Sequence, residues 1–247
     1  MIATGHYAKI AKYKDHFVLD TPKDNSKDQS YFLHALSSEQ LSHVMFPLGD
    51  LTKKEVREIA RTHNLPVSDK KDSTGICFIG NQKFDEFITQ HLKAIPGDII
   101  DENGKVLGKH KGLVCYTLGQ RKGIGLGGIK DNESENNTHK PWYVAAKDVV
   151  NNTLTIVQNT NHPLLMSKNV EASHMHWVLE ETPKVGDKLM AQVRYRQQKQ
   201  ACTVVEASDE KVVVEFDSPQ RAVTLGQSLV LYSGNYCLGG GFISYYK

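Results

Sequence analysis

The residue in this sequence best placed to do covalent chemistry is Cys77. It lies in segment 71–80, which reads KDSTGICFIG, and two lysines, Lys70 and Lys71, stand a few positions before it. Nearby positive charge lowers the pKa of a thiol and favours the reactive thiolate. The turn-forming residues 72–75 favour a surface position. The segment therefore predicts an accessible thiol that acts as a nucleophile or carries sulfur, and a buried structural cysteine is the alternative.

The other three cysteines are predicted to be core residues. Cys115, Cys202 and Cys237 stand in strand-like apolar segments, and the chain has no C-x-x-C pair of the kind that binds zinc. The pair His174 and His176 is weak evidence for a metal and is predicted to be exposed on a strand. No metal site is predicted.

Positive charge is concentrated in two stretches, although the net charge is only +2. Residues 103–130 carry six lysines and arginines and no acid, and residues 188–205 carry four and again no acid. Such segments favour local contact with a polyanion such as a nucleic acid. Two solvated faces are the alternative interpretation.

The elements that must position these residues change in type along the chain. Thr52 and Glu55 form a capping-box pattern before an apolar stripe with helical spacing, which predicts a helix over residues 53–63. Ser37 and Gln40 form the same pattern and predict another helix start.

Beyond residue 96 the pattern is one of short strands. Four strand signals between residues 98 and 157 predict a small β-rich domain, and five between 189 and 245 predict a small antiparallel barrel. In the first of these five, residues 189–196, apolar residues alternate with polar ones that include Arg194 and Arg196, which predicts a solvent-facing basic stripe. The polar segment 131–140 is predicted to be a mobile loop.

The segment around Cys77 resembles the hallmark of the tRNA-specific 2-thiouridylases, which put sulfur on the wobble uridine of certain tRNAs. Six further motifs are similar to that family and stand in the family's order: ATGHY at 3–7, KDQSYF at 27–32, FPLG at 46–49, TLGQRKG at 117–123, RYRQ at 194–197 and CLGGG at 237–241. The resemblance covers essentially the whole chain.

The resemblance implies roles for individual residues. Cys77 matches the cysteine that receives sulfur as a persulfide and delivers it to the base, and Gly5 matches a nucleotide-contacting glycine. The positions that match tRNA contacts are His6, Lys27, Asp28, Gln29, Arg194, Tyr195 and Gln227. In the implied chemistry ATP, with Mg expected, adenylates the C2 oxygen of the uracil, and persulfide sulfur supplied by a donor protein then displaces AMP. The base must be presented out of its stack.

The resemblance also implies an α+β fold with several domains. Residues 1–92 are expected to be the carboxy-terminal remnant of an α/β ATP-pyrophosphatase-type, Rossmann-like domain that carries the Cys77 loop. Residues 93–160 are expected to form a small β-rich central domain, and residues 161–247 a C-terminal antiparallel β-barrel that binds tRNA.

One part of the family pattern is not found in these 247 residues. The family begins with a glycine-rich Ser-Gly-Gly-x-Asp-Ser loop that cradles the ATP phosphates and continues to a first catalytic cysteine; neither is in this sequence, and no Walker-type motif stands in their place. The sequence is therefore expected to start in mid-domain and to be inactive on its own.

Two other functions remain as alternatives. One is a non-catalytic tRNA-binding protein made of the middle domain and the barrel. The other is a dinucleotide-binding enzyme, because residues 123–128 fit G-x-G-x-x-G and Asp148 lies 20 residues beyond. That fingerprint must open a helix, whereas a polar loop and Pro141 follow it here, so this alternative is disfavoured.

The sequence carries no membrane or export signal. No apolar run approaches the about 18–20 residues of a membrane span, and the first residues lack the basic start and apolar stretch of a signal peptide. A cytoplasmic protein with no membrane partner is predicted. The expected partners are tRNA and a sulfur-relay donor protein, and the oligomeric state stays open.

Overall fold

The computed structural model describes residues 1–70, 84–126, 140–179 and 181–247. These form two compact units: the first combines residues 1–71 with 168–247, and the second holds residues 72–167. The segment around Cys77 and residues 131–139 of the predicted loop lie outside the described residues. None of the helices in the described ranges is long and apolar enough to cross a membrane.

The described helices are short. They are α1 (Ser30–Leu33), α2 (Ser38–Ser42), α3 (Lys53–Thr62) and α4 (Phe84–His91). Both predicted capping boxes are confirmed, with Ser37 and Gln40 at the start of α2 and Thr52 and Glu55 at the start of α3. Hydrogen bonds donated by Lys23 and by Thr52 hold the pKa of Glu55 at about 2, so this carboxylate stays ionised at the positive end of α3.

More than half of the described residues beyond residue 96 lie in strands. In chain order the strands are β1 (Ile2–Ala3), β2 (Lys9–Tyr13), β3 (His16–Asp20), β4 (Val44–Met45), β5 (Gly97–Ile100), β6 (Val106–His110), β7 (Trp142–Asp148), β8 (Thr153–Gln158), β9 (Met166–Trp177), β10 (Lys188–Gln192), β11 (Gln200–Ala207), β12 (Lys211–Arg221), β13 (Ser228–Ser233) and β14 (Tyr236–Tyr246).

Six strands close a barrel in the first unit. Their order is β13, β10, β11, β12, β9 and β14, and the pairing of β13 with β14 completes the circle. The sequence predicted a barrel but only five of its strands. It missed β9, which pairs with β14.

Alternation along β13 divides two cores. Leu229 and Leu231 point into the barrel, where they pack with Phe216. Val230 and Tyr232 point outward and pack with residues of the first 46 positions, including Leu19. A strand with apolar residues on both faces is buried on both sides, so the amino-terminal segment covers the outer face of the barrel.

Strand pairing reinforces this cover. The hairpin of β2 and β3 extends the barrel sheet, because Cys237 of β14 pairs with Leu19 of β3. The parallel pair β1 and β4 forms a separate two-stranded sheet. The remnant expected at residues 1–92 therefore shares a core with the barrel over its first 46 residues.

The second unit contains a four-stranded sheet in the order β6, β5, β8 and β7. β5 and β8 are parallel, and the other two pairs are antiparallel. Ile99, Val144, Leu154 and Ile156 are buried at its centre. The four strand signals between residues 98 and 157 are thus confirmed.

The predicted basic stripe on residues 189–196 is wrong. β10 ends at Gln192, and the chain turns at residues 193–196 with Arg196 in the left-handed region at φ +64°. The side-chain oxygen of Gln197 accepts the Val193 N–H at 3.0 Å and replaces the ladder bond that a longer strand would make. Arg194 is half-buried in this turn and only Arg196 is exposed.

Candidate functional site

Two of the family-matched segments are joined by a pair of hydrogen bonds between Tyr7 and Gln29. The Tyr7 N–H donates to the side-chain oxygen of Gln29 at 2.9 Å, and the Gln29 N–H donates to the Tyr7 carbonyl at 3.0 Å. His6 lies next to this junction, with its Nδ1 2.9 Å from the Thr4 hydroxyl. Gly5 is exposed. The fixed junction holds both segments in one arrangement.

Asp28 connects the same region to the loop after β10. Its Oδ1 accepts the Ser30 N–H at 2.8 Å, and its Oδ2 lies 4.0 Å from the ammonium of Lys199. The side chains of this pair are only 14% and 20% exposed. Burial lowers the pKa of Lys199, and Asp28 opposes that shift. The ammonium also lies 3.7 Å from the centroid of the Tyr232 ring, a cation–π contact.

A buried chain of hydrogen bonds continues from Tyr232. Its hydroxyl donates to Gln192 Oε1 at 2.8 Å and lies 3.1 Å from the Ser30 hydroxyl. The amide nitrogen of Gln192 donates to the Gln197 carbonyl, which fixes the orientation of the Gln192 amide. Burial raises the pKa of Tyr232, so its hydroxyl remains a donor. The chain ties α1 to the loop that holds Arg194 and Tyr195.

Arg194 is linked to Gln227 through a fourth segment, the loop that contains Ala222 and Thr224. The Arg194 guanidinium donates to the Ala222 carbonyl at 2.9 Å and lies 3.4 Å from the Thr224 hydroxyl. Gln227 follows in the same loop, where its N–H donates to the Thr224 carbonyl. Burial, with Arg221 nearby, lowers the pKa of Arg194. The structure therefore gives Arg194 a bracing role that the sequence did not indicate.

Aromatic contacts complete the connection of these segments. The Tyr31 hydroxyl donates to the Ser228 carbonyl at 2.9 Å, next to Gln227. The rings of Phe32 and Tyr195 have centroids 4.3 Å apart. We call residues 4–7, 27–34, 193–199 and 222–228 the four-segment cluster. Every position matched to a tRNA contact lies in this cluster, all of it in the first unit.

Sequence reasoning gave no individual role to two residues of the cluster, Phe32 and Lys199. Phe32 contacts Tyr195 and Lys199 contacts Asp28, in each case across more than 160 positions, whereas Arg196 contacts the adjacent Tyr195 ring. Arg196 and Lys199 were counted in the basic stretch, and Phe32 ends the motif KDQSYF. The sequence did contain one signal of a nucleic-acid contact, since the aromatic residue Tyr195 stands within the basic stretch 188–205.

The cysteines divide as far as the structure describes them. Cys115, Cys202 and Cys237 are buried, as predicted. Burial raises the pKa of Cys202 and of Cys237 to about 12, so both thiols are protonated and unreactive at neutral pH. The prediction for Cys77 falls outside the described residues.

Comparison with protein families accounts for nearly the whole chain. Residues 1–81 match the model described as a tRNA methyl transferase HUP domain, and residues 85–158 match a tRNA methyl transferase PRC-barrel domain. Residues 167–243 match an aminomethyltransferase beta-barrel domain.

Curated relatives decide between the functions that these descriptions allow. The chain is 93% identical over 247 residues to the tRNA-specific 2-thiouridylase MnmA 2 of Aliarcobacter butzleri, covering 100% of this chain and 67% of the relative. The chain belongs to the tRNA-specific 2-thiouridylase family. It is also 51% identical over 245 residues to the tRNA-specific 2-thiouridylase MnmA of Burkholderia ambifaria, covering 99% of this chain and 62% of that relative.

Membership in the 2-thiouridylase family places this chain in a family of enzymes and confirms the expected fold. A HUP-type portion precedes a PRC-barrel domain and a six-stranded C-terminal barrel. The chain spans 62–67% of the length of the curated relatives named here. Family membership disfavours the dinucleotide-binding alternative. Residues 123–126 of its glycine fingerprint are not helical, and the rest of the fingerprint lies outside the described residues.

Proposed function

We propose that this chain is the tRNA-recognition and sulfur-delivery part of a cytoplasmic, ATP-dependent tRNA 2-thiouridylase that acts on C2 of the wobble uridine. The observation that carries the proposal is the four-segment cluster. Seven residues match tRNA contacts by resemblance, and they are separated by as many as 221 positions in sequence. All seven belong to four segments that are joined by direct contacts. A shared RNA-binding surface explains that convergence.

In the proposed reaction, Cys77 carries the sulfur. A relay protein supplies the sulfur, and Cys77 holds it as a persulfide. The terminal sulfur bonds to C2 of the uridine in place of the C2 oxygen, which ATP would have made a leaving group and which departs with AMP. The S–S bond to Cys77 would be broken by a second thiol, the family's first catalytic cysteine, which forms a disulfide with Cys77. The lysines before Cys77 favour the ionised form that this transfer needs. The cluster supplies orientation, since it would hold the anticodon loop against the protein through polar, stacking and phosphate contacts.

Gly5 is the one residue of this sequence that matches a position of the family's nucleotide site. This glycine is exposed and its nearest neighbour in the direction of a side chain is Leu48, at 3.7 Å, so a ligand has room to approach the backbone there. A single open glycine does not make a phosphate cradle, and these 247 residues contain no Ser-Gly-Gly-x-Asp-Ser loop. The residues present do not form an ATP site by themselves.

Binding of tRNA by this chain is expected to depend strongly on salt concentration. The logarithm of its tRNA affinity should fall linearly with the logarithm of salt concentration, because neutralised phosphates release counterions. Replacing Arg196 with alanine should reduce the magnitude of that slope by about 1 without changing the melting temperature. Arg196 is exposed, and alanine at φ +64° carries the same backbone strain as arginine.

Lys168→Ala is the matched control for Arg196→Ala. It removes one positive charge from the same unit, at an ion pair with Glu215 rather than in the cluster, so it should leave the slope unchanged. Arg194 is unsuitable for this test, since its guanidinium braces Ala222. Salt-independent binding, or equal slopes for Arg196→Ala and the unmodified chain, would contradict the placement of the RNA at the cluster.

A further inference from the structure

Phe32 is an outward-facing aromatic residue on α1, where its neighbours Tyr31 and Leu33 pack against the core. In α1, Tyr31 is 6% exposed and Leu33 packs against the core below, whereas Phe32 keeps 58% of its surface exposed. The backbone of α1 is held by the Tyr31 and Ser30 hydrogen bonds described above. These contacts anchor the segment of backbone from which the exposed Phe32 ring projects.

Two further groups lie beside this ring. The Tyr195 ring is 4.3 Å from Phe32, centroid to centroid, with the planes inclined at 45°. Tyr31 supports Phe32 from below in an edge-to-face contact at 5.5 Å and 80°. The Arg196 guanidinium is 5.4 Å from the Tyr195 ring. The surface thus offers adjacent aromatic faces with a cation at their side.

We infer that Phe32 and Tyr195 form a stacking site for an unpaired RNA base, with Arg196 placed to neutralise the adjoining phosphate. This inference rests on the proposed function, because its ligand belongs to the same RNA. Aromatic rings stack on any nucleobase, and the base-stacking surfaces of RNA-binding proteins combine such rings with nearby positive charge. The acid-free stretch 188–205 supplies that charge. A neutral apolar protein partner would gain nothing from it.

The stacking site is tested by measuring the affinity of the chain for an anticodon stem–loop RNA with an unmodified wobble uridine at several salt concentrations. Phe32→Ala should weaken binding about tenfold at every salt concentration and leave the salt slope unchanged, because stacking releases no counterion. Phe32→Leu should weaken binding nearly as much, since leucine keeps apolar contact with Tyr31 but has no aromatic face. Phe242→Ala, which removes a ring that is 56% exposed on β14, should bind as the unmodified chain does.

Abasic substitution in the RNA loop identifies the stacked base. At one loop position, removing the base should weaken binding to the unmodified chain about tenfold and should not further weaken binding to Phe32→Ala. Wild-type affinity in Phe32→Leu would overturn the inference and leave Phe32 a packing role. Losses that add at every loop position would also overturn it. Failure of the unmodified chain to bind RNA would instead overturn the proposed function and this inference with it.

Discussion

Replacing Cys77 with serine is expected to abolish tRNA thiolation. The assay uses an enzyme in which these 247 residues replace the matching 67% of the 93% identical relative, so that the remainder of the relative completes the protein. A serine hydroxyl cannot form a persulfide, so product should fall to background. The affinity for tRNA should stay within about twofold of the unmodified enzyme, because the cluster that is proposed to bind RNA is untouched.

Cys202→Ser is the control for Cys77→Ser. Cys202 is buried with a pKa raised to about 12, so its serine variant should lose some stability but keep its thiolation rate per folded molecule. Thiolation by Cys77→Ser at a comparable rate would remove this residue from the mechanism. Loss of activity only in proportion to loss of folded protein would support the alternative of a structural cysteine. The same assay separates an enzyme from a non-catalytic tRNA-binding protein.

The second large effect is expected at Gly239, in the motif CLGGG. Gly239 has φ +141°, and a Cβ there would overlap the backbone carbonyl oxygen of His176 on the paired strand β9. The backbone strain at this φ and the clash with a backbone atom cannot be relieved by moving a flexible side chain. Gly239→Ala should therefore lower the free energy of unfolding by at least about 3 kcal/mol, measured by denaturant unfolding.

Gly234→Ala separates the clash from the cost of backbone strain. Gly234 also has positive φ, at +57°, but nothing lies within 4 Å of the position that its Cβ would take. It should cost about 1–2 kcal/mol, the ordinary cost of a side chain in the left-handed region. Equal losses in the two variants would show that close packing of β14 on β9 is not what requires Gly239.

The features that the sequence predicted correctly are local ones. The capping boxes at Ser37 and Thr52 need only residues three positions apart, and both are present. The strands of the second unit were predicted from short strand-like runs beside the turn signals at Asn103-Gly104 and Asn151-Asn152. The burial of Cys202 and Cys237 followed from their apolar neighbours in strands. In each case the determining contacts are close in sequence.

The features that the sequence missed depend on long-range contacts. Alternation continues from residue 189 to 196, but the strand ends at Gln192 because Gln197 supplies the next hydrogen bond. The first 46 residues and the barrel share one core because β13 is apolar on both faces. In the sequence, a short apolar run of this kind does not distinguish a strand that is buried on both faces from a segment of a buried helix. The contact of Phe32 with Tyr195 likewise spans 163 positions.

The four-segment cluster is proposed to be the surface that binds tRNA. Hydrogen–deuterium exchange of the chain with and without tRNA tests this proposal directly. Bound tRNA should slow exchange at residues 27–34, 193–199 and 222–228 and leave the turn between β11 and β12 unchanged, where Ser208 and Lys211 already close the turn with their own hydrogen bonds. Slowed exchange at that turn or in the second unit, with none in the cluster, would contradict the account.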